Sequence, residues 1–477
     1  MSSTRQETFQ FSELAGRRVE CDFSGGYLSS DGGALLLRET DSAIGLTREL
    51  AGCFHDGRDQ RFVEHHLPEL VAQRIFGLAL GYEDLNDHNA LRLDPVLAVA
   101  AGKHDPTGSE RTHTQDKGKS LAAASTLNRL ELGHQNGAAA YRKIKANMAQ
   151  IERLLIEFSV QCLCPHTEEI ILDFDATDDT LHGLQEGRFF HGFHGNYCYL
   201  PLYCFAGSLP LWAQLRPSNI DASLGTVEAL EQIVPAIRQR FPQARIMVRA
   251  DSGFCRESIM AWCETHGLYY CLGLARNSRL IDHLTRAFFF ARATACLTGG
   301  QAREFVEFEY QTQKSWSRPR RVIAKAEVLP KGDNPRFIVT NLPADGFETD
   351  SEERFSPRAC YEQFYCARGD MENRIKEQQL DLFADRTSTH YMGSNQLRLW
   401  FATFAYLLIE RTRTLALQGT ELAQATAGTI RLKLFKIAAH LRVSCRRIYI
   451  RFASAFPLRE VFTHAHRRLR ALAAASG

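Results

Sequence analysis

Residues 168–179, EEIILDFDATDD, hold the reading of the fold. Their apolar run is short and reads as a strand, and the alternation of side chains along a strand puts Asp173 and Asp175 on the same face. Downstream, NYCYLPLYCFAG (196–207) and LPLWAQLRPSN (209–219) read as two more strands with a turn around Gly207 and Ser208. ASLGTVEALEQIVPAIRQRF (222–241) is a helix, capped by Asp221 and closed near Pro242. ARIMVRAD (244–251) is a fourth strand ending at Asp251. RESIMAWCETHG (256–267) is a second helix with Gly267 as its stop, and LYYCLGLA (268–275) is a fifth strand. The order is three strands, helix, strand, helix, strand.

Further on, REFVEFEY (303–310), RRVIAKAEVL (320–329) and PRFIVTNL (335–342) alternate as strands around the polar turns KSWSRP and KGDNP. They read as a β insertion ahead of a helical stretch, YCARGDMENRIKEQQL (365–380). On it Tyr365, Arg368, Glu372 and Lys376 lie at i, i+3, i+7 and i+11, so all four face one side. A carboxylate flanked by a guanidinium, an ammonium and a phenol suits an anionic substrate held beside a metal.

With Asp175 and Asp251, Glu372 gives the spread of carboxylates expected of a metal-dependent nuclease. Phosphodiester hydrolysis is slow because an anion repels its nucleophile and the leaving oxygen gathers charge. Two divalent ions about 3.5–4 Å apart address both difficulties. Hard oxygen ligands suit Mg²⁺, with Mn²⁺ able to take its place. The assignment has Asp175 bridging both ions, and Asp251 and Glu372 each holding one. Asp173, two residues away on the same face, competes with Asp175, which is favoured because Thr177 adds a hydroxyl just beyond it. Taken alone, Asp251 is also an ordinary turn residue before Gly253, and Glu372 an ordinary helix partner of Arg368 or Lys376.

The rest of the chain constrains less. Its 477 residues predict several domains, and 44% hydrophobic with 23% charged residues is usual for a globular protein. A net charge of +2 does not announce a nucleic-acid binder. No apolar leader opens the chain, and LRLWFATFAYLLIERTRTL (397–415), broken by Arg398, Glu410 and Arg411, reads as a buried helix and not a membrane span. Thirteen scattered cysteines suggest reduced thiols in a cytosol, and the Cys162–Cys164 gap is not that of a zinc knuckle. The segment 1–165 reads as mostly helical after an extended start. Gly118-Lys119-Ser120 lacks the glycine a phosphate-binding loop needs at 113, where His113 stands, and reads as a basic loop opening a helix. From Ile430 to Arg470 the tail is rich in Arg and Lys with Glu460 as its only acid, a surface suited to the DNA backbone.

The blocks Asp175-Ala-Thr177, Asp251-Ser-Gly-Phe254 and Tyr365…Arg368…Glu372 resemble those of the DDE transposases of bacterial insertion sequences, in the group with a Tyr-two-Arg-three-Glu-six-Lys signature. The likeness is strongest over 168–380, and GLALGYEDLNDHNALRLDP (77–95) is also similar, with no chemistry attached. One departure is plain: Gln379 stands where the group has Lys. Lys376, one turn beyond Glu372, is the substitute phosphate contact.

The resemblance implies an α/β, ribonuclease-H-like mixed sheet with flanking helices. In that arrangement acids sit midway on the first strand, at the end of the fourth, and on a helix after the fifth. It implies helical regions over 1–165 (DNA-end recognition) and 386–477 (basic), a core over 166–290 and 350–385, and a β-rich insertion over 291–349. It also implies binding of terminal inverted repeats, Mg²⁺-dependent cleavage and strand transfer, and a homodimer that synapses two element ends on double-stranded DNA. The setting would be a bacterial cytoplasm, at the nucleoid. Some relatives hold a flipped base near an insertion-domain tryptophan. Trp316, among Lys314, Arg318, Arg320 and Arg321, is the candidate here.

Two other readings compete. His464-Ala-His466 satisfies the short motif of single-strand nucleases with a tyrosine nucleophile, but it lies in a helical tail away from any strand. His191 and His194 lie in a turn and read as structural. A catalytically inactive DNA-binding regulator with the same fold is the other alternative, and the presence of all three acids weighs against it.

Overall fold

The structure, a computed structural model, describes residues 7–134, 143–347 and 353–476. Part of the helical reading after Ser120, at 135–142, and the junction of insertion and Glu-bearing helix, at 348–352, lie outside them. The chain divides into two compact units, one of residues 148–380 and 384–403, the other of residues 1–147, 381–383 and 404–477.

The first of these units is built on an eight-stranded mixed sheet. Its strands are β1 (Glu169–Ala176), β2 (Leu202–Ala206), β3 (Leu209–Gln214), β4 (Arg245–Ala250), β5 (Tyr269–Leu274), β6 (Ala302–Tyr310), β7 (Arg320–Leu329) and β8 (Gly332–Thr340). They lie in the order β3-β2-β1-β4-β5-β8-β7-β6. β1, β2 and β3 are antiparallel neighbours, β1, β4 and β5 run parallel, and β8 joins β5 antiparallel. The three insertion strands therefore widen the main sheet instead of forming a separate one.

Alternation along the strands sorts side chains between two cores. Ile170, Leu172, Phe174, Ile246 and Val248 pack under the helices α1 (Met148–Cys162), α2 (Thr226–Arg240), α3 (Glu257–Thr265) and α4 (Thr285–Thr298). A fully buried side chain such as Phe174 contributes about 1.5–3 kcal/mol. The opposite face carries Met247, Cys271, Ile323 and Ile338, packed on Phe355, Tyr361 and Phe364. That second face also bears Asp173, Asp175 and Arg249.

Two local expectations are revised. The cap of α2 is Gly225, at φ +87°, while Asp221 pairs with Arg256 at 2.7 Å. The stretch 196–207 is two strands, not one: Asn196–Tyr199 joins Asp179–Thr180 and Phe189–His191 in a small sheet. Pro201, with no N–H to give a ladder, marks the break.

In the other unit, helices Ala34–Ile44, Leu67–Ala79 and Pro95–Ala100 follow a short extended start. The stretch 77–95 proves to be scaffold: Tyr82 Oη donates to the buried Asp31 carboxylate at 2.6 Å, and Lys436 Nζ reaches the same group at 2.5 Å. Ser120 Oγ donates to Asp105 O, tying the 102–119 loop to itself. The C-terminal segment is not all helical. Ala439–Ser444 and Arg447–Phe452 form a hairpin, followed by helix Arg459–Ser476. β-branched and aromatic residues at Val443, Ile448, Tyr449 and Ile450 favour the extended form. Residues Leu399–Ile409 are almost all buried in α6 (Met392–Ala416). No helix among the described residues is long and apolar enough to cross a membrane.

Candidate active site

Strand register brings two of the expected acids level. In the parallel pair of β1 and β4, Arg249 lies opposite Asp173 and Ala250 opposite Phe174. Asp175, the last residue but one of β1, and Asp251, the first residue past β4, are each one residue further on and so come level. Asp251 also caps the short turn Ser252–Phe254, accepting the Gly253 N–H at 2.8 Å.

The third acid comes from α5 (Gly369–Leu382), with Glu372 in its first turn. The helical run before it is irregular: a π turn over Cys360–Tyr365 gives way to a 3₁₀ turn over Cys366–Arg368. Such interruptions cost regular hydrogen bonding and recur at functional sites. Here they set Arg368 between two carboxylates, with Nη2 2.8 Å from Glu372 Oε1 and Nη1 3.7 Å from Asp175 Oδ2.

The electrostatics follow. Burial pushes the Asp175 carboxyl up to about 7; the charges of Asp251 and Glu372 add to the rise, while Arg368 and the Ala176 N–H oppose it. Asp173 is in a different position. It is 4% exposed and locked to Arg249 through two hydrogen bonds, 2.5 Å and 2.8 Å. Its carboxylate is spoken for, whereas that of Asp175 faces Arg368.

Tyr365 is largely buried, which pushes its phenol up to about 12. Its Oη lies against Gly273 in the middle of β5. A Cβ there would come within 2.6 Å of Tyr365 Oη and 2.7 Å of Ser252 N. A glycine inside a strand signals close backbone approach, and that sign was present in LYYCLGLA.

Beside this contact opens a polar cleft of about 490 Å³, lined among others by Ser252, Arg276, Asn334, Arg336, Tyr361 and Tyr365. Arg276 and Arg336 are exposed and form no ion pair among the described residues. Sequence reading missed both arginines, which stand in loop and strand far from any recognised block.

Other expected residues are placed elsewhere. Lys376 is exposed, without an ion pair among the described residues. Gln379 donates to Asp179 Oδ1 at 3.0 Å, so the position where the family signature has Lys serves a buried contact here. Trp316 is 6% exposed, packed edge-on against Tyr310 with the Arg320 guanidinium 5.6 Å from its ring centroid. Three of its basic neighbours are neutralised, Arg318 by Glu264, Arg320 by Glu257 and Glu264, and Arg321 by Glu307, while Lys314 is exposed with no ion pair among the described residues. Trp316 is thus a packed side chain in this structure. His464 Nε2 meets Gln418 O at 3.0 Å, inside the C-terminal helix.

Among the described residues, no three His, Cys, Asp or Glu side chains are arranged to hold a metal ion. The charges of Asp251 and Glu372 both act on Asp175, and the Arg368 guanidinium stands between Asp175 and Glu372.

The chain matches the family model described as transposase DDE domain group 1 over residues 11–474 and belongs to that family. It is thus a DDE transposase. A comparison with curated proteins gives no match.

Proposed function

We propose that this transposase binds the terminal inverted repeats of an insertion sequence and cleaves and transfers DNA strands at Asp175, Asp251 and Glu372. The observation that carries the reading is geometric: Arg368 lies 2.8 Å from Glu372 on α5 and 3.7 Å from Asp175 on β1, and Asp251 follows directly on β4, the parallel neighbour of β1. The order β3-β2-β1-β4-β5, with its one antiparallel pair of neighbours on each side of β2, supports a ribonuclease-H-like core.

The chemistry of the donors suits Mg²⁺ or Mn²⁺: Asp175, Asp251 and Glu372 all offer hard oxygen ligands, and Arg368 stands between Asp175 and Glu372. Asp175, Asp251 and Glu372 would hold the ions, which when bound would ease deprotonation of the attacking water or hydroxyl and stabilise the leaving oxygen. Arg368 balances the acids' charge in the absence of cations and can offer its guanidinium to a phosphate. The Tyr365 phenol keeps its proton at neutral pH and can donate it in a hydrogen bond to a phosphate oxygen. Arg276 and Arg336 receive the strand's phosphates in the adjoining cleft. A homodimer holding two element ends follows from the need to join them.

The test is cleavage of a duplex carrying the element end by purified protein with Mg²⁺. Nicking by the wild type, lost in Glu372→Gln with end binding retained, supports the proposal. A wild type that binds ends and never cuts would make the chain an inactive regulator.

A further inference from the structure

We infer that the C-terminal hairpin, Ala439–Ser444 with Arg447–Phe452, is a duplex-DNA grip, its cationic face laid on the phosphate backbone. The inference rests on the DNA reading above and goes further by naming the element that holds the duplex.

Register makes the face. The cross-strand pairs are Ala439 with Phe452, His440 with Arg451, Leu441 with Ile450, Arg442 with Tyr449, Val443 with Ile448, and Ser444 with Arg447. Because side chains alternate, every second pair shares a face. One set is wholly apolar, and at its root Ala439, Leu441, Ile450 and Phe452 pack on Leu35, Val96 and Val99. The other set carries His440, Arg442, Arg447, Tyr449 and Arg451. Arg446 stands in the connection between the strands.

Charge then identifies the partner. The four arginines are exposed, and none forms an ion pair among the described residues. No Asp or Glu occurs from Ala439 to Arg459. The carboxylates across the neighbouring groove are Asp105 and Glu110, and Asp105 is already engaged by the N–H groups of Thr107 and Glu110. A ridge of unpaired guanidiniums repels itself, and planar forks of this kind match phosphate oxygens.

Shape agrees. Toward the tip the apolar face loses its cover, with Val443 and Ile448 42% and 44% exposed, so the ribbon projects beyond the helices that support its root. At its root the hairpin is the edge of a three-stranded sheet, where Ala439–Leu441 pairs with Tyr27–Ser29, and beyond Leu441 it continues as a two-stranded ribbon of a width that the major groove of B-DNA accepts. Backbone contacts of this kind fix position and bind without reading sequence.

The experiment uses the full-length protein and a fluorescent duplex, one bearing the element end and one of unrelated sequence, titrated at several salt concentrations. Replacing Arg442, Arg447 and Arg451 together by Gln is expected to weaken binding to both duplexes at least tenfold. The slope of log affinity against log salt should shallow by about 0.9 per lost phosphate contact. The matching triple Lys variant should restore most of that slope, which a merely structural role would not. Wild-type affinity and slope in the Gln variant would overturn the hairpin assignment while leaving the transposase reading in place. A wild type that binds neither duplex would overturn both.

Discussion

Arg249 grips Asp173 across the parallel pair of β1 and β4, with Nε 2.5 Å from one carboxylate oxygen and Nη2 2.8 Å from the other. Arg249 also donates to Phe364 O, so one guanidinium fastens the sheet to the segment leading into the Glu372 helix. Two aspartates that look alike in sequence thus have different work. Asp173→Asn should leave Arg249 buried with a broken pair and cost about 3–5 kcal/mol. Asp175→Asn should abolish cleavage with no loss of stability. Denaturant melts of the two variants beside a nicking assay check this.

Asp175 should make stability depend on pH in a defined window. In the unfolded chain its carboxyl titrates at the ordinary 3.8, in the folded chain near 7. Between these values the unfolded state has released its proton and the folded state has kept it, so in metal-free protein the contribution falls as pH rises from about 4 to about 7. Asp175→Asn should match the wild type near pH 4 and exceed it above pH 7. The gain should be on the order of 4–5 kcal/mol at roughly 1.4 kcal/mol per unit. Unfolding free energies measured across that range test the sign.

Gly273→Ala should be damaging although it adds one methyl group. The new carbon would press on Tyr365 Oη and on the Ser252 amide that follows Asp251. Overpacking of this kind costs about 1–3 kcal/mol, and the displaced Asp251 turn should lower kcat for cleavage at least tenfold. A variant with wild-type melting and wild-type kcat would contradict the tight approach.

The Arg320 cluster predicts the opposite pH behaviour. Burial alone would raise the Glu264 carboxyl, but hydrogen bonds from Arg320, Tyr270 and Arg318 outweigh it and hold it down at about 2. This stabilisation is present above the ordinary 4.5 and is lost as pH falls toward 2. Glu264→Gln should therefore cost about 1–3 kcal/mol at pH 7 and nothing by pH 2. Matched melts at the two ends of the range decide it.

Much of this architecture is visible in the residues themselves. The period of two in ILDFDA and IMVRAD marks β1 and β4, and glycines at 207 and 267 mark where strands and helices stop, because those signals are local. What was hidden depends on partners distant in sequence. Nothing near Trp316 shows that Glu257 and Glu264 neutralise its arginines, and nothing near Gln379 announces Asp179. The tail looked helical because its basic residues dominated the reading, while the alternation of Arg442, Val443, Ile448 and Tyr449 is a strand signal that charge obscured. The joining of the insertion strands to β5 is likewise a long-range pairing that no local pattern encodes.

Strand Tyr27–Ser29 is paired with Ala439–Leu441, and Asp31 is tied to Lys436. A ribosome making this polypeptide releases every strand of the eight-stranded sheet before the partners of residues 27–31 have been synthesised. Residues 27–31 must wait, unpaired, until residues 436–441 have been made. A nonsense mutation shortly before codon 436 would leave β1 to β8 whole and strip the opening segment of its closing strand. Truncation before residue 436 should thus injure the segment around residues 27–31 more than the eight-stranded sheet.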